Sequence, residues 1–205
     1  MFAIVESGSI TSMPKGNRGV EINGVKHSAD VFTSKWTESE RNAIGIYTVE
    51  IDETNKKDEQ WYINTNITYA FGSGKVTGSY GTATAKAIAD TKWTQKEIDD
   101  GDAPTGADTN TVKTIGLTNE HKDRISGEAH SRLISTDWYA SRKAEAGTAI
   151  PSAVATYRAA VRTAAADMHT KIDAADTVAK LEALYVYNTD NPPTRPLGAW
   201  PTPVE

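Results

Sequence analysis

Cysteine is missing from this sequence altogether, and that one absence removes disulfides, thiolate zinc sites and thiol catalysis together. Packing, hydrogen bonds or partner chains must hold the fold. Long apolar runs are also missing. No stretch approaches the roughly 20 residues that span a bilayer. Met1 to Met13 has neither a basic start nor an apolar core, so no signal peptide is expected. An excess of positive charge is lacking too: the formal charge is −5. Phosphate-backbone affinity comes mainly from clustered Lys and Arg, so a general nucleic-acid or anionic-membrane binder is not expected.

What is present describes a soluble globular chain. Its 205 residues have room for one medium domain or two small ones, with 38% hydrophobic and 24% charged residues. Fifteen glycines and a mean hydropathy of −0.50 predict much turn and loop.

The first part reads as strands. Phe2 and Ile4 are separated from Ile10 by the turn cluster Glu6-Ser7-Gly8-Ser9, and Val20-Glu21-Ile22 from Val25-Lys26-His27 by Asn23-Gly24. An Asn-Gly pair between strands is a strong hairpin signal, because both central residues of a type I′ turn need positive φ. Ile46 to Ile51 alternates with period two. Trp61 to Phe71 does the same, meets Gly72-Ser73-Gly74 and continues through Thr84 as the second arm of a hairpin. One short helix interrupts the strands. Thr37-Glu38-Ser39-Glu40 is a capping box and Gly45 a left-handed stop, so Glu38 to Ile44 is predicted helical, packing by Ala43 and Ile44.

Between Lys86 and Thr114 the composition changes. Trp93 to Ile98 suits one helical turn, whereas Asp99-Asp100-Gly101-Asp102-Ala103-Pro104 lacks periodicity and marks a linker or long loop. Beyond it Leu117, His121, Ile125, Ala129 and Leu133 recur every fourth residue. Val154, Tyr157, Val161, Ala164 and Met168 then follow Pro151 in steps of three and four. A third helix, capped by Asp173 or Asp176, carries Val178, Leu181 and Tyr185. Asp137 is expected to cap a short corner helix, Trp138 to Ala146, closed by Gly147, with Trp138 folded under the hairpin's end. The expected fold class is therefore α+β. An N-terminal antiparallel β-rich module with one short helix covers 1–85, and a linker or long loop 86–114. A C-terminal α-helical hairpin plus a third short helix covers 115–187, and a Pro-rich tail anchored by Leu197 and Trp200 covers 188–205.

Catalytic constellations do not emerge. Gly72-Ser73-Gly74-Lys75 lacks the P-loop spacing and the Ser or Thr after Lys, so it reads as a turn. Asp99, Asp100 and Asp102 suit a hard cation by type, but no bidentate Glu stands at EF-hand spacing, and a solvated acidic segment is preferred. His27, His121, His130 and His169 show no paired metal spacing. No enzyme activity, cofactor or metal is expected. Trp36, Trp61, Tyr62 and Tyr69 admit a glycan-binding reading beside the preferred one of sheet packing. Arg124, Arg132, Arg158 and Arg162 sit at helical spacings of eight and four. Two readings stand side by side: a solvated face with stems over apolar neighbours, and an anchor set for a protein partner, since Arg, Tyr and Trp dominate hot spots.

Several longer stretches carry a family resemblance. They are Arg124 with Arg132-Leu133-Ile134-Ser135-Thr136-Asp137-Trp138, then Ile150-Pro151, Tyr157-Arg158-Ala159-Ala160-Val161-Arg162 and Trp200-Pro201. This pattern resembles the C-terminal region of bacteriophage tail assembly chaperone and tail-fibre assembly proteins. There a helix ending in Asp-Trp precedes one bearing Tyr-Arg-x-Ala-hydrophobic-Arg, and the chain closes near Trp-Pro. Met1 to Glu6, Met13 to Asn17 and Glu40 to Tyr47 are similar to N-terminal regions of such proteins in marine phages. The chain departs from the pattern in Lys86–Thr114 and in the Ala-rich Ala159 to Ala166. The resemblance implies a non-enzymatic tail, tail-fibre or baseplate-associated protein, resident in the virion tail or a transient chaperone, present in the host cytoplasm during assembly. Other tail, tail-fibre or baseplate proteins would be its partners, with a homo-oligomer open. Partner contact is expected through Arg124, Arg132, Trp138, Tyr157, Arg158, Arg162 and Trp200.

Overall fold

Three dipeptides set the turns of the first half. Ser7-Gly8, Asn23-Gly24 and Ser73-Gly74 each place two successive residues at positive φ, between 48° and 78°. That is the backbone of a two-residue turn whose twist matches its flanking strands. In the computed structural model, which describes residues 1–204, they join β1 (Phe2–Glu6) to β2 (Ser9–Ser12), β3 (Val20–Ile22) to β4 (Val25–His27), and β7 (Thr68–Gly72) to β8 (Lys75–Ser79). Between the second and third lie α1 (Glu38–Ala43), β5 (Ile46–Asp52) and the short β6 (Tyr62–Ile63). The α1 capping box forms as the sequence predicts, with Thr37 Oγ1 accepting from Glu40 N and the Glu40 carboxylate accepting from Thr37 N. Ile44 packs inward, but Ala43 is exposed.

The chain divides into two compact units, Met1–Thr84 and Ala85–Glu205, with β9 (Thr84–Ala85) at their seam. In the first unit, five strands form one sheet in the order β2-β1-β5-β8-β7. Its pairings are antiparallel except one: β5 and β8 run parallel, Val49 opposite Val76. Within the module that the sequence reads as antiparallel, this one pairing is parallel. The Ser73-Gly74 turn fixes β7 against β8, but no local signal fixes which arm docks on β5. Ala3, Ile4 and Val5 on β1 are all buried because both sheet faces are covered, and alternate residues point to opposite faces. Ala3 and Val5 join Val49 and Val76, flanked by Ile10, Met13, Tyr47 and Phe71. Ile4 joins Ile22, Val31 and Ile46, covered by Phe2, Phe32, Trp36 and Ile44.

The second unit begins with β10 (Thr91–Lys92), α2 (Gln95–Asp99) and β11 (Val112–Thr114). Thr91 pairs with Thr114 and Lys92 with Val112. The segment 86–114, read from sequence as a linker or long loop, is a long excursion whose ends pair with each other. A second capping box, Thr94 with Glu97, starts α2, and the Glu97 carboxylate is gripped again by Lys113. These contacts hold its pKa down to about 2. The loop aspartates are engaged locally: Asp99 accepts from Gln95, and Asp100 pairs with Lys96.

Helices α3 (Leu117–Leu133), α4 (Asp137–Ala146), α5 (Ser152–Asp173) and α6 (Val178–Ala183) follow, with a 3₁₀ turn (Ile134–Thr136) between the first two. α3 and α5 pack as an antiparallel hairpin. Lys122 bridges Asp173 at 2.8 Å near one end, and the Tyr157 hydroxyl donates to the Arg132 carbonyl at 3.4 Å near the other. The predicted stripes supply its interior: Leu117, His121 and Ile125 from α3, and Val154, Tyr157, Val161 and Met168 from α5, extended by Ile172. The helix starts differ from expectation. Thr177, not Asp173 or Asp176, caps α6, because it directly precedes Val178, whereas Asp173 ends α5; the two carboxylates pair with Lys122 and Lys180. Asp137 makes no cap and turns instead to Arg158.

Candidate functional site: an arginine–aromatic cleft

Two features bring the tail onto the hairpin. Asn188 organises a tight loop, its side-chain oxygen accepting from Thr194 N at 2.8 Å while its backbone N–H donates to the Thr194 carbonyl. Leu197 then anchors the return: its N–H donates to Leu184 O at 2.9 Å and its side chain is fully buried. Lys171 donates to the carbonyls of Pro196 and Leu197, at 2.8 and 3.2 Å. A Pro-rich segment makes few backbone hydrogen bonds of its own, so the Lys171 side chain of α5 and the Leu184 carbonyl just after α6 complete its hydrogen bonding.

The tail thereby carries Trp200 and Arg195 to α3. The Trp200 indole N–H donates to the Glu128 carboxylate at 2.7 Å, and the Arg132 guanidinium lies 4.6 Å from the centre of its ring. Arg195 sits 5.5 Å from the ring centres of both Tyr185 and Tyr187. Arg124 stacks on Tyr185 at 4.8 Å. Between α3 and the tail, Glu128, Arg132, Tyr187, Arg195 and Trp200 line an open cleft of about 500 Å³.

Beneath this row lies His121, 2% exposed. Its Nδ1 is 2.6 Å from the Tyr185 hydroxyl and 3.0 Å from an Arg124 nitrogen. A guanidinium only donates, so Nδ1 is the acceptor and the ring is neutral. Burial first, and the Arg124 charge second, push its pKa down to about 4. Burial raises the Tyr185 phenol above its ordinary value. The group therefore presents fixed positive charge on a neutral support.

The residues expected to contact a partner fall into four places. Arg132 and Trp200 line the cleft, and Arg124 flanks it on the aromatic row. Tyr157 and Arg158 are interior to the unit. Tyr157 is 6% exposed. Arg158 donates to Leu133 O at 3.0 Å, Thr136 Oγ1 at 2.7 Å and Asp137 Oδ1 at 2.8 Å, locking the corner. Trp138 is not folded under the hairpin. It is 51% exposed, stacked on Tyr139 at 3.8 Å and covered on one side by Arg142 at 4.7 Å. With exposed Ile134 it makes a small apolar corner. Arg162 is exposed on α5.

Sequence reasoning missed Arg195, Tyr185 and Tyr187 as a set. The available signal was the Tyr-Val-Tyr triplet after α6 followed by a lone tail arginine, which carries no periodicity. Of the first unit's aromatics, Trp61 is buried, Trp36 is half-buried edge-on to His27, Tyr62 is half-buried and Tyr69 is exposed. Among the described residues no three His, Asp or Glu side chains are grouped to hold a metal ion, and no helix is long and apolar enough to cross a membrane. Comparison with protein-family models, curated proteins and solved structures finds no match to this chain.

Proposed function

We propose that this chain is a non-enzymatic bacteriophage tail, tail-fibre or baseplate-associated protein that acts by binding other tail proteins through its second unit. The reading rests on the resemblance of Arg132 to Trp138, Tyr157 to Arg162 and Trp200-Pro201 to tail assembly proteins. One observation supports it most: the Arg132 and Arg195 cleft, framed by Trp200 and Tyr187, is open at the surface. Arginine and aromatic side chains are the residue types that anchor protein partners. Tyr157 and Arg158 serve this function indirectly by fixing the corner that carries Trp138.

Mass spectrometry of purified particles of the encoding phage, and of its tail intermediates, tests the reading. Stoichiometric presence in particles fits a resident component. Presence in intermediates alone fits a transient chaperone in the host cytoplasm. Absence from both refutes tail association.

A further inference from the structure

Arg124, Arg132 and Arg195 share one arrangement. Each lies over an aromatic ring, and none forms an ion pair with a carboxylate among the described residues. Arg132 spends one contact on the Glu128 carbonyl at 3.3 Å, and Arg195 one on Gly198 O at 3.4 Å. A guanidinium offers five N–H donors, so both retain free edges in the cleft. Its single carboxylate, Glu128, accepts the Trp200 indole N–H. The cleft is thus cationic within a chain of net charge −5, lined by rings and by Pro193.

We propose that this cleft binds an acidic, proline-bearing peptide segment of a partner protein, with a carboxylate held by Arg132 and Arg195. The proposal rests on the partner-binding reading above and specifies its chemistry. The planar fork of arginine matches a carboxylate in two-point contact. Stacking on Tyr185, Tyr187 and Trp200 fixes both forks beforehand, which lowers the ordering cost of binding. Tyr187, Pro193 and Trp200 suit an extended segment, because aromatic-lined grooves accept preformed polyproline conformations. A polyphosphate fits less well: it gains affinity from an extended cationic track, whereas here Glu128 stands inside a small site on an acidic chain.

Fluorescence anisotropy on the full chain tests this, using a fluorescein-labelled glutamate–proline repeat peptide and its glutamine–proline counterpart. Saturable binding of the glutamate peptide is expected, weakening as salt rises, with none of the glutamine peptide. Arg132→Gln and Arg195→Gln should each weaken binding by about tenfold or more, Arg195→Lys should weaken it less, and Lys143→Gln on α4 should leave it unchanged. Where an arginine variant fails to fold by circular dichroism, the peptide-induced change in tryptophan emission decides; it should vanish in Trp200→Phe. Equal binding of both peptides, no saturation, or an equal loss in Lys143→Gln overturns the proposal. So does full displacement by inorganic phosphate at matched ionic strength, which would indicate a plain anion site. A chain found in particles that ignores the peptide sinks only the ligand assignment. Peptide binding by a chain absent from particles and intermediates sinks only the tail reading.

Discussion

Replacing Arg158 by alanine removes the three hydrogen bonds that tie α5 to the end of α3 and the start of α4. The side chain is 12% exposed, and its partners are Leu133 O, Thr136 Oγ1 and Asp137 Oδ1. They do not lose equally. The Leu133 carbonyl keeps the Thr136 hydroxyl as a donor at 2.8 Å. Thr136, 8% exposed, loses a donor it cannot replace with bulk water. Asp137 is 48% exposed and rehydrates, so its share is that of a screened surface pair, about 0.5–1 kcal/mol. Adding one buried charge-assisted bond at about 1.5–3 kcal/mol gives a loss of about 2–4 kcal/mol.

Urea unfolding followed by circular dichroism at the helical band reads this loss, because α3, α4 and α5 all lie in the second unit. At about 2 kcal/mol per molar urea, the middle of the usual range for small proteins, the midpoint of the helical transition should drop by about 1–2 M. Arg162→Ala on the exposed side of α5 should stay within about 0.5 kcal/mol of the parent. Asp137→Asn should cost about 0.5–1 kcal/mol, keeping an acceptor but losing the charge. A deficit for Arg158→Ala under about 1 kcal/mol, or one no larger than that of Arg162→Ala, would show that the corner is not held in this way.

Other substitutions probe other contacts. Tyr157→Ala empties a site only 6% exposed and should cost about 3–5 kcal/mol by the same urea measurement; a near-neutral value would misplace the hairpin seam. Trp138→Ala, at a ring 51% exposed, should cost under about 1 kcal/mol of stability, and a loss of several would mean the ring is covered. His121 should titrate near 4 by NMR. Its folded pKa lies below the ordinary 6.5, so its contribution to stability is full above pH 6.5 and is lost as pH falls toward 4; titration at 6 or above would refute the neutral, buried ring. Gly116→Ala would set a Cβ 2.2 Å from the backbone carbon of Ala89 and should cost about 1–3 kcal/mol or more, read as a lowered thermal midpoint.

Local rules were the legible part of this sequence. Asn23-Gly24 and Ser73-Gly74 each dictated a turn, Thr37 with Glu40 a cap, and the four-residue stripe from Leu117 the buried face of α3, because each depends on neighbours within a few positions. Pairings between distant segments were not legible. The parallel docking of β8 on β5 depends on which arm of a hairpin faces inward. The joining of Thr91 to Thr114 encloses an acidic loop whose composition resembles a linker. Trp138 was misread for a related reason. An indole beside a helix break suggests burial, but its stacking on Tyr139 and Arg142 satisfies it at the surface. Half of the cleft was visible as Arg132 and Trp200. Arg195 was not, since its place depends on a turn built by Asn188 and on Leu197 seating against Leu184.

The way these arginines are held distinguishes a scaffold from a contact surface. An arginine paired with a carboxylate, as Arg158 is with Asp137, directs its donors inward and is neutralised. An arginine laid over a ring is fixed through its face, and the edge that carries its N–H groups stays available. Arg158 is held in the first way, while Arg132 and Arg195 are held in the second. The paired Arg158 locks a helix corner, whereas the stacked Arg132 and Arg195 stand in an open cleft. Converting a stacked arginine to a paired one should therefore block the cleft while sparing the fold. Ala199→Glu, at an exposed position of the cleft wall next to the Gly198 carbonyl that Arg195 meets, should weaken the glutamate–proline peptide by about tenfold or more with the helical urea midpoint unchanged. Unaltered peptide affinity in that variant would mean that the free arginine edges are not what the ligand meets.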